Sequence, residues 1–203
     1  ELIMNTNPSA FLRSENTRLQ DENKSLKEEV RGLRDFVKVL DELYGSDADI
    51  KSDEDLLPLL NRILKKSLGI LDAPDGSLML LDADKNELVF VLVHGEIADD
   101  LVDYRIPADV GIAGWVVQKG QPVLVQDVRR DNRFSHLIDK TFQFRTQSIL
   151  AAPLMGRGRV LGVIEALNQP GDTPFSEQDM ALISLLCRVV GERLADIEDR
   201  ETS

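Results

Sequence analysis

Five leucines, Leu12, Leu19, Leu26, Leu33 and Leu40, stand at an unbroken spacing of seven near the start of the chain. Seven residues are close to two helical turns, so these side chains form one narrow seam along a helix, and so narrow a seam suits a second helix better than a globular surface. Asn7-Pro8 supplies a cap residue followed by proline at the first helical position, where its missing N–H costs nothing, so residues 1–8 read as a lead-in and 9–45 as the helix. With the leucines at d, the a positions hold Ser9, Asn16, Asn23, Val30 and Val37. β-Branched residues at a with Leu at d favour two parallel strands, and an a-position Asn meets its symmetry mate only when the helices are parallel and in register. Glu22 with Lys27 and Glu29 with Arg34 fall at g and e′ positions that attract across such a pair. A parallel homodimer is expected, with Leu12, Asn16, Leu19, Asn23, Leu26, Val30, Leu33, Val37 and Leu40 at its interface. The alternative is an amphipathic helix packed on its own domain.

Charge removes one class of function. The 203 residues carry a formal net charge of −12, whereas binding to nucleic acid or anionic lipid is driven by Lys and Arg neutralising phosphates. Only Arg13 and Arg18 lie ahead of most of the heptads, so a basic leucine-zipper DNA reader is excluded as well. A lone cysteine, Cys187, forms no internal disulfide, and His94 and His136 are too far apart in sequence to suggest a metal cluster. No apolar run has the length of a membrane span, and Glu1-Leu2-Ile3-Met4 lacks a signal-peptide pattern, so a cytoplasmic protein is expected. The absence of an initiator Met suggests a piece of a longer chain.

Residues 46–52 read as a polar, acidic linker, after which a second unit spans 53–199, leaving a tail at 200–203. Asp53-Glu54-Asp55 opens an amphipathic helix over Leu56–Leu71, with Pro58 tolerated in its first turn. Ser77–Leu81 and Leu88–Val93 read as a hairpin, Ile112–Gln118 as a helix and Pro122–Gln126 as a strand. Asp127–Arg133 is a loop leading to a short helix from Phe134. Ser148–Met155 and Val160–Asn168 form a second hairpin, and Ser176 caps a long helix over Glu177–Asp199. The fold class is therefore α+β, a mainly antiparallel sheet flanked by helices, with an N-terminal coiled-coil helix ahead of it.

Five segments, in order, resemble motifs of the GAF domain family. Gly111-Ile112-Ala113-Gly114-Trp115 through Gly120-Gln121-Pro122-Val123 resembles its helix–turn–strand segment, and Asp127…Asp131-Asn132-Arg133-Phe134 is similar to its Asp…Asp-x-Arg-Phe loop. Ser148-Ile149-Leu150-Ala151-Ala152-Pro153-Leu154 resembles a Ser-Ile-Leu-x-x-Pro-Leu strand. Gly162-Val163…Asn168 and Phe175…Asp179 are similar to the two motifs that follow it. The resemblance implies a regulatory domain that binds a small molecule between the sheet and a cap, here Asp127–Arg145.

Expected ligand-binding residues are Asp127, Asp131, Arg133, Phe134 and Arg145 of the cap, with Ser148 and Glu165 on the strands beneath. Each of these side chains also has a purely structural role open to it, and Trp115 reads as core. The family's cyclic-nucleotide binders share an Asn-Lys…Phe-x-x-x-Asp-Glu motif whose Lys and Asp pair. This chain has Asn168-Gln169…Phe175…Asp179-Met180, so that ion pair is replaced at most by a Gln169–Asp179 hydrogen bond. No second signal supports haem at His136, and one cysteine is too few for a thiol-reductase cycle. No catalytic set, metal site or named cofactor emerges. The reading is a non-enzymatic sensor that binds a small ligand and relays the change through dimeric helices to an output domain; its rival is a structural dimerisation module with an empty, collapsed pocket.

Overall fold

The computed structural model describes residues 8–45, 53–170 and 175–201. The chain divides into two compact units, one up to Lys38 and one from Val39 onward. Helix α1, Pro8–Gly45, carries the heptads as one continuous element. Leu12, Leu19, Leu26, Val30, Leu33 and Val37 remain 44–65% exposed on it. On the polar side Arg18 pairs with Glu15 at 2.6 Å and Glu22 at 3.3 Å, the i, i+3 and i, i+4 spacings that link successive turns. The side chains of Glu29 and Leu40 lie outside the described residues, as do residues 1–7 and the linker 46–52.

The second unit is a six-stranded antiparallel sheet flanked by helices, as expected. Its elements are α2 (Asp53–Ile70), β1 (Asp75–Asp82), β2 (Glu87–His94), α3 (Ala98–Leu101), β3 (Arg105–Pro107), α4 (Gly111–Lys119) and β4 (Val123–Val125). A 3-10 turn (Val128–Arg130), α5 (Leu137–Phe142), β5 (Ile149–Gly156), β6 (Arg159–Leu167) and α6 (Glu177–Glu201) complete it. The strand order is β3-β2-β1-β6-β5-β4, which brings β1 and β6 together at the centre. Two short elements, α3 and β3, were not expected. β3 has no turn motif ahead of it comparable to Gly120-Gln121-Pro122 before β4, and it is an edge strand ending in Pro107, a position that tolerates a missing donor.

Strand alternation divides the core between the two faces. Leu78, Leu150, Leu154 and Ile164 are fully buried on the face that α2 and α6 cover, together with Leu60, Leu64, Ile183 and Val190. Their neighbours Met79, Ala151 and Val163 point the other way, into a cluster with Ile112, Val116, Val128 and Ile149 beneath α4 and the segments around it. Gly120, at φ +62°, ends α4 with its N–H donating to the Val116 carbonyl, a left-handed cap that glycine adopts without strain. Asp179 closes the start of α6 by accepting from both the N–H and the hydroxyl of Ser176. The Gln169–Asp179 hydrogen bond raised by the sequence is not formed. Gln169 instead donates to the Leu71 carbonyl at 3.0 Å, fastening the end of β6 to the end of α2.

Candidate functional site

A cavity of about 80 Å³ lies over the second face of the sheet. Its floor is β1, β2 and β6, through Ser77, Phe90, Val93, Glu165 and Leu167. Its roof comes from the first turn of α4 and from Phe134–Asp139, with Phe144 and Thr146 closing one side. The lining is largely apolar with a few polar groups, the usual composition of a small-ligand site. Gly111, at φ +75°, sets the entry of α4 beside Ser135 and so fixes one edge of the roof.

Two polar side chains on the floor have no hydrogen-bond or ion-pair partner among the described residues. Ser77 is 2% exposed and its hydroxyl makes no hydrogen bond. Glu165 stands directly opposite it in the antiparallel β1–β6 ladder, so both side chains project from the same face. Glu165 keeps some surface open to the cavity but is ringed by protein, and burial pushes its carboxyl up to about 7. An unmatched buried hydroxyl costs stability and therefore calls for an explanation.

The other acids at the cavity are held by the fold. Asp75 accepts from the Glu96 N–H at 3.1 Å and from the Asn168 side-chain amide at 3.3 Å. Asn168, at φ +59°, also donates to the Arg145 carbonyl and accepts from the Gln147 N–H, tying the end of β6 to the segment that leads into β5. Asp139 accepts from both the N–H and the hydroxyl of Thr146, which closes the loop after α5. Exposed His94 stands at the rim.

Of the residues expected at the site, Phe134 and Glu165 line the cavity; Asp127, Asp131, Arg133, Arg145 and Ser148 lie outside its lining. Asp127 caps the 3-10 turn, its carboxylate accepting from the Arg129 N–H at 3.1 Å. Arg133 makes two side-chain bonds to Asp131, at 2.9 and 2.6 Å, and lays its guanidinium 4.6 Å from the Trp115 ring centre. The pair holds the Asp131 carboxyl below its usual range. This fastens the cap to α4 and engages Arg133 outside the cavity lining. Arg145 is exposed, and Ser148 is buried, its carbonyl accepting from the Asn168 N–H. His136 is exposed and meets the Phe134 ring edge-on at 4.9 Å.

Sequence reasoning missed Ser77, Asp75, Asp139 and Thr146. Ser77 did carry a signal: by alternation it shares a face with Met79, so a polar residue stood at a core position. No group of three or more His, Cys, Asp or Glu among the described residues is placed to hold a metal ion. No helix among them is long and apolar enough to cross a membrane.

The architecture has counterparts elsewhere. The sequence profile of the GAF domain matches residues 55–194. The dual 3′,5′-cyclic-AMP and -GMP phosphodiesterase 11A of Takifugu rubripes is 28% identical over 160 residues, 74% of this chain and 18% of that one. The cone cGMP-specific 3′,5′-cyclic phosphodiesterase subunit alpha′ of Mus musculus is 36% identical over 103 residues, 49% of this chain and 12% of the relative. This chain thus spans less than a fifth of the length of either relative. Among solved structures, the GAF domain of a phosphoenolpyruvate-protein phosphotransferase from Coxiella burnetii superposes with a TM-score of 0.72 at 18% identity, over 85% of this chain and 97% of that one. The free methionine-R-sulfoxide reductase from Neisseria meningitidis gives 0.61 at 22% identity, over 79% and 91%. These two structures speak for the fold, and the profile covers well over half of the sequence: the chain belongs to the GAF domain family.

Proposed function

We propose that the protein is a sensory module that takes a small ligand into the cavity beneath the Asp127–Arg145 cap and relays its presence through the helices of a parallel homodimer. GAF domains are regulatory modules of phosphodiesterases and signalling proteins. The observation that carries the reading for this chain is the unmatched pair on the cavity floor, the orphan Ser77 hydroxyl opposite the Glu165 carboxyl. A ligand supplies the missing partner.

A route for the relay starts on the same strand. β6 carries Glu165 near one end and enters at Arg159 from the β5–β6 turn. At that turn Arg157 pairs with Asp196 and Asp199, and Arg159 with Glu198, all on α6. The Arg157 N–H also donates to Glu192 at 3.2 Å. A shift of β6 is therefore felt along the last turns of α6. Coupling of this kind requires an element with two arrangements, and a terminal helix leading to an attached output domain is suited to it.

Catalysis has no support in this chain. Cys187 is fully buried, its thiol facing the Ala152 carbonyl, and burial pushes it far above its usual range, away from the thiolate that a reductase needs. The catalytic activities of the phosphodiesterases belong to chains of which this one matches only a minor part. The acidic charge argues against a nucleic-acid partner. A cytoplasmic sensor reading a soluble metabolite fits these features.

A thermal-shift screen of metabolites tests the reading, since a ligand at about 100 times its dissociation constant adds about 2.7 kcal/mol. One or more stabilising compounds are expected. The rival module with an empty, collapsed pocket draws on the small volume of the cavity, and a screen without any stabilising compound would favour it.

A further inference from the structure

We propose that the cavity is selective for a small cation, a primary ammonium on a short apolar body, held between the Glu165 carboxylate and the Ser77 hydroxyl. The inference rests on reading the cavity as a ligand site and goes on to assign the chemical class of its occupant.

Charge is the first ground. The ionisable residues that line the cavity are Asp75 on β1, His94 on β2, Asp139 on α5 and Glu165 on β6, and no Lys or Arg is among them. Among the described residues Asp75 and Asp139 are partnered by neutral donors only, namely backbone N–H groups, the Asn168 amide and the Thr146 hydroxyl. Their charges are oriented but not cancelled. Arg133, the cation that the sequence placed nearest, is taken up by Asp131 and Trp115. An anionic ligand would bring a like charge among carboxylates in a poorly solvated space, whereas a cation supplies the charge the site lacks.

Donor geometry is the second ground. Ser77 and Glu165 face each other across the ladder without bonding to each other or to any other group among the described residues. An ammonium carries three donors and no acceptor, so one can go to each of these oxygens with a third left for water. A neutral hydroxyl can also reach both, donating to the carboxylate and accepting from Ser77, but it leaves the carboxylate charge unmatched. Size sets the apolar body. The cavity of about 80 Å³ is smaller than the roughly 150 Å³ site that admits benzene, which limits the ligand to a few carbon atoms against Phe90, Phe134 and Ile149.

Burial holds the Glu165 carboxyl near 7, so a bound ammonium expels its proton, and affinity for the amine should rise with pH through that value. Asp75, Asp139 and His94 are the other titratable groups at the cavity, and the first two already receive hydrogen bonds as acceptors.

The test uses the full chain, with thermal shift and calorimetry on ethylamine and isopropylamine against the matching alcohols and carboxylates. The amines are expected to bind at least about tenfold more tightly than the alcohols, roughly 1.4 kcal/mol, with the carboxylates weakest. Amine binding by the wild type should tighten from about pH 6 to about pH 8. Glu165→Gln should abolish the preference for amines, and Ser77→Ala should weaken amine binding about threefold without reversing it. Alcohols or carboxylates binding as well as the amines, or a preference that survives Glu165→Gln, would overturn the charge assignment and leave the ligand-site reading standing. Binding by none of the probes, whatever their charge, would overturn both. The wild-type charge series and pH profile decide the matter even if a variant does not fold.

Discussion

Glu165 interrupts an otherwise apolar strand, Val160-Leu161-Gly162-Val163-Ile164-Glu165-Ala166-Leu167, and its environment makes stability depend on pH in an unusual direction. The carboxyl is near 7 in the folded protein against an ordinary value of 4.5, so between those values the native state binds the extra proton. Stability from this group is complete below 4.5 and is lost as pH rises through 7, by about 2 kcal/mol once solvent in the cavity mouth is allowed for. Urea melts of the wild type should show this decline, and Glu165→Gln should flatten it. Asp131 and Asp82 act in the opposite sense, since Arg133 and Arg105 hold their carboxyls low, and their contribution is lost only as pH falls below the ordinary aspartate range. Arg133→Ala separates packing from binding. Loss of the Asp131 pair and the Trp115 stack should cost about 1 kcal/mol in a denaturant melt while affinity for a cavity ligand stays within about threefold. A tenfold loss of affinity at unchanged stability would instead place Arg133 in the site. Glu165 was named from its place on a strand expected beneath the cap, and it lines the cavity. Ser77 was less legible, because its isolation exists only once antiparallel pairing has set it opposite Glu165 from far along the chain.

Length decided most of the reading, with three-residue β4 the exception, since the Gly120-Gln121-Pro122 turn ahead of it marks its start. The periodicity of α2 and α6 and the apolar runs of β1, β2, β5 and β6 each repeat often enough to be read, whereas α3 and β3 are four and three residues long and become regular only through tertiary contact. Composition alone also hid how closely α6 approaches the sheet. A methyl group added at Gly191 would run into the backbone of Met155, and one at Gly156 would meet the Gly191 carbonyl and Ala195. Two glycines thus let the helix and strand backbones touch beside the turn whose arginines grip α6. Gly191→Ala would gain about 1 kcal/mol in helix propensity, yet moving backbone out of the way costs more, so a net destabilisation of about 2 kcal/mol is expected in a denaturant melt. Gly69→Ala near the end of α2 is the control. Nothing lies within 4 Å of its added methyl, and it should be neutral or stabilising by about 0.5 kcal/mol. If both substitutions stabilise, the close approach of α6 to β5 is not a constraint on the fold.

At the scale of the whole molecule the question is what covers the seam of α1. Six apolar side chains, from Leu12 to Val37, lie 44–65% exposed along one stripe of a helix whose other positions are mostly polar, Phe11 apart. Isolated helices gain most of their stability from packing an apolar face, so a helix of this length needs a partner for that stripe. A second copy provides one whose heptads match by construction, and Asn16 and Asn23 at a positions favour parallel alignment in register. Parallel pairing would also set both sensor domains at the same end of the zipper, the arrangement in which one ligand event can be shared. Sedimentation equilibrium at micromolar concentration is expected to give a dimer. Leu19→Glu with Leu26→Glu places like charges at two d layers of the seam and should give a monomer with reduced helical circular dichroism, while the buried core of the second unit keeps its thermal transition. Asn16→Leu with Asn23→Leu should do the reverse, raising the stability of the assembly while loosening its register or stoichiometry. A wild-type monomer at that concentration, or a double-glutamate variant that still sediments as a dimer, would mean that the seam is not the dimer interface and would remove the zipper from the relay.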